Sequence, residues 1–177
     1  GRLGWDQETM MPRGAAHQRG EEMAAIEGVL HARRTDPRIA DWLEAAEAPD
    51  DVARAQLRHI RRGYTRACKV PGDLAEALAR LTSTAQGQWA EARAADDVAA
   101  FLPVLTEVVA LKREEAACLA QGSNLYDALL DDYEAGATAE TVGEMFDAMR
   151  PRLVALRAAI LAAPAPEPLQ GHFGTEA

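Results

Sequence analysis

The sequence predicts an all-α fold, six or seven helices in an irregular bundle, and three observations carry that prediction. Alanine is the commonest residue, leucine, glutamate and arginine are plentiful, and aromatics make up only 5% of the 177 residues. These four residue types lose little rotamer freedom in a helix. Apolar residues recur at spacings of three and four in several segments, the period that gathers one face of a helix. Prolines and capping residues punctuate the chain at helical lengths, and no segment reads as a strand.

Each element follows from that punctuation. Met11-Pro12 precedes a mixed polar and apolar stretch from about Arg13 to Arg34, which Thr35-Asp36-Pro37 closes. A short helix is expected from Pro37 to about Glu47, with proline at the first helical position, where its missing N–H costs nothing. Pro49-Asp50-Asp51 opens a third helix running to Cys68, its acids facing the positive end of the helix dipole. Val70-Pro71 restarts the chain, and Leu74, Leu78, Leu81 and Ala85 form one stripe. Asp96 or Asp97 is placed to cap the next helix, whose stripe is Val98, Phe101, Leu102, Leu105, Val108 and Val109. Gln121-Gly122-Ser123 breaks it, and Asn124 to Asp131 reads as two helical turns before an irregular loop, Asp132 to Gly136. Thr138 caps the last long helix, with Val142, Met145, Met149, Leu153, Leu156 and Ile160 on one face. Pro151 inside that stripe predicts a kink or break near Met149. From Pro164 onward the composition is rich in Pro and Gly without periodicity. The expected organisation is one helical domain over residues 1–163 and a linker over 164–177.

Composition excludes several function classes. With 19 Lys and Arg against 28 Asp and Glu, the formal charge is −9. Such a surface repels phosphate backbones, so no nucleic acid is expected as a partner. No apolar run approaches the ~20 residues of a membrane span. Gly1-Arg2-Leu3-Gly4-Trp5-Asp6 turns acidic at once, unlike a secretory leader. Cys68 and Cys118 are too few for a disulfide framework, so two free, buried, inert thiols and a cytoplasmic location are expected.

The search for chemistry returns no complete catalytic or metal site. The histidines are His17, His31, His59 and His172, and no two stand at the i, i+4 spacing of a helical zinc site. His17 and His31 share a face with Glu21 and Glu27, but fourteen residues of helix put them roughly 21 Å apart. That face reads as solvated. Glu-x-x-His, which di-iron bundles use, is absent. The pairs Asp50/Asp51, Asp96/Asp97, Glu114/Glu115 and Asp131/Asp132 read as caps and solvated faces. Ser83 and Ser123 lack a nucleophile-elbow context. Cys68, beside Arg66 and Lys69, reads as a structural thiol at a helix end.

Two segments resist that plain reading. Gly4-Trp5-Asp6-Gln7-Glu8-Thr9-Met10-Met11-Pro12 packs polar and aromatic groups into a non-periodic stretch before the first long helix. Leu125-Tyr126-Asp127-Ala128-Leu129-Leu130-Asp131-Asp132-Tyr133-Glu134-Ala135-Gly136 sets two tyrosines among acids. Groups crowded at breaks between helices are buried networks or cleft linings.

These segments resemble the carboxypeptidase Taq family of zinc-dependent metallocarboxypeptidases. Trp5, Asp6, Gln7, Thr9, Met11 and Pro12 match its W-D-Q-x-T-x-M-P stretch. Tyr126, Asp127, Leu129, Leu130, Asp131, Tyr133, Glu134 and Gly136 match its Y-D-x-L-L-D-x-Y-E-P-G stretch, with Ala135 where the family usually has proline. Thr82-Ser83-Thr84-Ala85-Gln86 with Trp89, and Ala110 to Ala116, also read like the family's helical N-terminal half. The resemblance implies a dimeric peptidase that removes single residues from peptide C-termini, with zinc or cobalt held by an H-E-x-x-H helix and a later glutamate. No H-E-x-x-H, H-P-F or D-x-R-x-T occurs here, since Gly171-His172-Phe173 lacks the proline. The expectation is an N-terminal portion of the enzyme, inactive and metal-free by itself, partnered by peptide substrates and a catalytic half, and exposing an apolar patch where that half sits. Trp5, Asp6, Gln7, Tyr133 and Glu134 are its candidate groove-facing or wall-bracing residues. The competing expectation is a free-standing acidic helical interaction module, which a stop codon after Ala177 instead of an H-E-x-x-H further on distinguishes.

Overall fold

The computed structural model describes residues 1–167 and Gly171, and His172 and Phe173 lie outside the described residues. Among the described residues there are eight α-helices and no strand. They are α1 Arg2–Thr9, α2 Ala16–Arg34, α3 Arg38–Ala45, α4 Asp51–Ala67, α5 Gly72–Ala94, α6 Val98–Ala120, α7 Leu125–Leu130 and α8 Ala139–Ala162, with a 3-10 turn at Arg13–Ala15. The element beyond the expected count is α1. It occupies the Trp5 segment that sequence periodicity leaves irregular, because its helix carries polar groups on the face turned to the protein.

Most boundaries form where local chemistry satisfies orphan backbone groups. The Asp50 carboxylate accepts from the Ala53 N–H at 2.7 Å and the Asp97 carboxylate from Ala100 at 3.0 Å. Thr138 and Thr141 exchange side-chain-to-backbone bonds in a capping box at the start of α8. At the other end of α6, Gln121 and Gly122 turn through the left-handed region at φ 49° and 97°, which frees the chain to reverse. Pro37 precedes α3 as its cap residue rather than lying inside it.

Pro151 does not break α8, which continues from Ala139 to Ala162. Residue 147, whose carbonyl loses a donor to the proline, is exposed, so water can satisfy it. Pro103 sits inside α6 in the same way.

The chain separates into two compact units, Gly1–Leu129 and Leu130–Ala177. The first is organised around α2 and α5, which run antiparallel: Gly20 meets Thr84 and Arg80, Gly28 meets Glu76, and His31 meets Gly72. A methyl at Gly20 would lie 2.9 Å from Thr84 Cγ2 and 3.3 Å from the Arg80 backbone oxygen, so glycine there permits the close approach. The core is thin, built from Ala24, Leu43, Leu74, Leu78, Ala85, Ala116, Leu119 and Ala120. Within α6 only the C-terminal end is buried. Val98, Leu102, Leu105 and Val109 of its stripe are exposed. In the second unit α8 has no buried residue, and Met145, Met149, Leu153, Leu156 and Ile160 of its stripe are all exposed.

Polar groups close the ends of the first unit's helices. The Lys69 ammonium donates to the Leu119 carbonyl in the last turn of α6 at 3.2 Å, and Arg66 donates to Ala128 in α7 at 3.1 Å. Both contacts put a cation at the negative end of a helix dipole. His31 contacts the Val70 carbonyl through Nε2 at 2.8 Å. It ties α2 to the turn before α5 and is not part of a solvated face. The two cysteines are free, but Cys68 is exposed and Cys118 half-buried, contrary to the expectation of buried thiols. A hydrogen bond with Cys68 is the main cause that holds the Tyr64 phenol above its ordinary pKa.

Candidate functional site

The Trp5 segment is organised by one arginine and one serine that lie far from it in sequence. Arg19 is only 9% exposed, although it belongs to an otherwise small-residue face with Gly20 and Ala24. Its guanidinium donates to the Leu3 carbonyl at 2.6 Å, to Asp6 Oδ2 at 2.5 Å and to Glu22 Oε2 at 3.1 Å. A planar fork with several fixed donors suits that task, since a lysine ammonium is a point charge. The Asp6 hydrogen bond is the largest of the effects that raise the Arg19 pKa above its ordinary value.

Gln7 does the same work toward α5. Its amide nitrogen donates to the Ser83 carbonyl at 3.1 Å and to Gln86 Oε1 at 2.7 Å, while the Ser83 hydroxyl donates back to Gln7 Oε1 at 2.8 Å. Ser83 is 8% exposed, and these bonds satisfy it. Trp5, between Leu3 and Asp6 in the sequence, faces solvent at 64% exposure. One turn on, Thr9 donates to the Trp5 carbonyl at 2.6 Å, and Met10 and Met11 both close back onto the Asp6 carbonyl.

Beside this network lies a groove of about 460 Å³, walled by Gln7, Met11, Arg13 and His17 and floored by α5 from Thr84 to Ala94. Gln88 and Glu91 reach it from α5. Its volume is in the range of small-ligand clefts, and amide, imidazole, guanidinium and carboxylate groups line it.

Tyr133 and Glu134 belong to the second unit, in the turn after α7. Their backbone N–H groups donate to the Leu130 carbonyl at 2.9 and 3.0 Å, and the Asp131 carboxylate accepts from Gly136 at 2.9 Å. Gly136 adopts φ 84°, a conformation open to glycine. Tyr133 is 88% exposed.

The model of the family described as "Carboxypeptidase Taq (M32) metallopeptidase" matches residues 1–177. The chain belongs to that family. It is 41% identical over 172 residues to thermostable carboxypeptidase 1 of Thermus thermophilus, covering 89% of this chain and 34% of that protein. Metallocarboxypeptidase 1 of Trypanosoma cruzi matches with a TM-score of 0.66 and 33% identity, over 94% of this chain and 36% of the other. The crystal structure of BsuCP shares the fold at a TM-score of 0.83 and 20% identity, over 92% and 33% of the two chains. The chain spans about a third of the length of the curated relatives it matches.

For a carboxypeptidase Taq family member, the arrangement gives the Trp-Asp-Gln stretch a local account. Asp6 and Gln7 are engaged in bonds to α2 and α5, and Trp5 is the member of the trio left toward solvent. Ser83 and Gln86, from the Thr82–Gln86 stretch, are the partners of Gln7. Sequence reasoning missed Arg19. The signal available was an arginine on the face that carries Gly20 and Ala24, where a charge is out of place unless it is paired. Among the described residues no group of three or more His, Cys, Asp or Glu can hold a metal ion. No described helix is long and apolar enough to cross a membrane.

Proposed function

We propose that this chain is the helical N-terminal portion of a divalent-metal carboxypeptidase that releases single C-terminal residues from peptides. The family match across residues 1–177 is the observation that carries the reading. Zinc or cobalt, in this reading, is held by an H-E-x-x-H helix and a glutamate elsewhere in the parent. Bound there, the metal would supply polarisation of the scissile carbonyl and a water of lowered pKa. The part given to this chain is mechanical. Residues 1–163 wall and cap the peptide groove, and residues 164–177 lead toward the catalytic half. Trp5, Asp6, Gln7, Tyr133 and Glu134 are, in this reading, its groove-facing or wall-bracing residues. The parent is a cytoplasmic homodimer.

The direct test is release of the C-terminal residue from an N-blocked dipeptide, with zinc or cobalt added. Turnover is expected from the full-length gene product and none from the 177-residue chain. Metal-dependent turnover by the chain alone would overturn the division of labour. A full-length product without carboxypeptidase activity would overturn the reading itself.

A further inference from the structure

We propose that the groove between the start of α2 and the end of α5 binds a small zwitterion, an α-amino acid or a dipeptide, with its carboxylate on the α2 side and its ammonium on the α5 side. The two helices are tight at one point and open at the next. Gly20 lies against Thr84 and the Arg80 backbone, whereas a Cβ at Gly87, about one turn along α5, would meet nothing within 4 Å. The antiparallel register that sets Gly28 against Glu76 and Gly20 against Thr84 runs on to bring His17 level with Gly87 and Arg13 level with Glu91. All four of these last residues line the groove.

Opposite charges elsewhere on this seam have closed on each other. Arg80 meets Glu21 at 2.7 Å across the same two helices. Arg13 and Glu91 have not closed: among the described residues neither side chain makes a hydrogen bond or an ion pair, and the same holds for Gln88 between them. A molecule with a carboxylate and an ammonium a few bonds apart spans the gap that the two side chains leave. The guanidinium fork of Arg13 takes a carboxylate through two parallel bonds, with the His17 imidazole beside it. Glu91, an acceptor when ionised, takes the ammonium.

The rest of the lining fits the body of such a ligand. Gln7 does not compete for it, since its amide is held by Ser83 and Gln86. Met11, Ala16, Ala90 and Ala94 offer an apolar surface to an aliphatic side chain. Free amino acids are what the proposed peptidase reaction releases. That link alone rests on the functional reading above, and the site rests on the groove.

Amide NMR of the 177-residue chain, titrated with L-leucine, tests the proposal. Leucine should give saturable shifts at His17, Gly87, Gln88 and Glu91. N-acetyl-leucine and leucinamide, each missing one charged end, should bind about 10-fold more weakly. A parallel titration with the dipeptide Leu-Gly distinguishes the two sources, the tighter binder being the one whose charges match the span. Glu91→Gln should weaken leucine about 10-fold and leave N-acetyl-leucine unchanged, and Arg13→Gln should weaken leucine and spare leucinamide. Gly87→Leu fills open space and gains helix propensity, so it should fold and bind neither leucine nor Leu-Gly. The proposal is overturned if no shift saturates up to about 100 mM of either zwitterion. It is also overturned if a blocked form matches the better zwitterion, or if Gly87→Leu binds as the native chain does. Failure here leaves the carboxypeptidase reading intact, and a failed peptidase assay leaves the zwitterion site intact.

Discussion

Asp6 and Arg19 meet at 2.5 Å across thirteen residues of sequence, and this ion pair turns a short polar helix into a fixed part of the fold. The arginine is nearly buried while the aspartate side chain is 39% exposed, so water reaches mainly the aspartate. Asp6→Asn keeps an acceptor oxygen and removes the charge, whereas Asp6→Ala removes both. Charge-assisted bonds are about twice as strong as neutral ones. Exchange of the α1 amides should therefore rise a few-fold in Asp6→Asn and about tenfold in Asp6→Ala. Equal effects in the two variants would show that charge contributes nothing to the docking of α1.

Gly20 and Gly28 of α2 both face α5, yet alanine should act on them in opposite directions. At Gly20 the new methyl meets Thr84 and the fixed Arg80 backbone oxygen, and overpacking of this kind costs roughly 1–3 kcal/mol. At Gly28 it meets only the end of the Glu76 side chain, which can swing away. There the gain in helix propensity, up to about 1 kcal/mol, prevails. Urea denaturation of the two variants checks the signs. Loss of stability in both would mean that Glu76 is held in place.

Local signals made most of the fold legible in the sequence. Asp50, Asp97 and Thr138 cap the helices assigned to them, because a cap is a bond between residues two or three apart. What the sequence hid is long-range. Helix α1 has no apolar stripe to announce it, and its partners Arg19 and Ser83 lie on other helices. Periodicity also says which residues share a face but not what covers it. The stripes of α6 and α8 are largely exposed in their own units. Asp6 and Gln7 stood out by composition, yet only the coordinates show that their polar atoms are spent on neighbouring helices.

The Asp36–Arg38 pair should leave a mark on the acid side of stability. Side-chain and backbone hydrogen bonds from Arg38 lower the Asp36 pKa from 3.8 to about 2. A carboxylate whose folded pKa is depressed binds fewer protons in the folded state. Its stabilisation is present above pH 3.8 and is lost as pH falls toward 2. Glu21, lowered by its hydrogen bond from Arg80, acts in the same direction. The Asp36 carboxyl carbon, followed by NMR, should titrate near pH 2 in the native chain and shift part of the way back toward its ordinary value in Arg38→Met, which keeps the backbone N–H bond. An unchanged midpoint in that variant would remove the Arg38 guanidinium as the cause.

Thr138 is the last point at which a single atom group holds an element in place. Its hydroxyl accepts from the Thr141 N–H at 3.2 Å, and the Thr141 hydroxyl accepts from the Thr138 N–H at 3.1 Å. The two bonds satisfy donors that the first turn of α8 would otherwise leave to water. Because α8 buries no side chain in its own unit, packing offers little to offset their loss. Thr138→Ala should cost about 1 kcal/mol of helix stability, concentrated in the first turn. Thr138→Ser should restore it, since serine caps as well as threonine. Exchange of the Thr141 and Val142 amides reads this directly: faster in alanine, native-like in serine. Val142 donates to the Thr138 carbonyl, which both variants keep, so a change confined to Thr141 would mean the cap closes one bond without holding the turn.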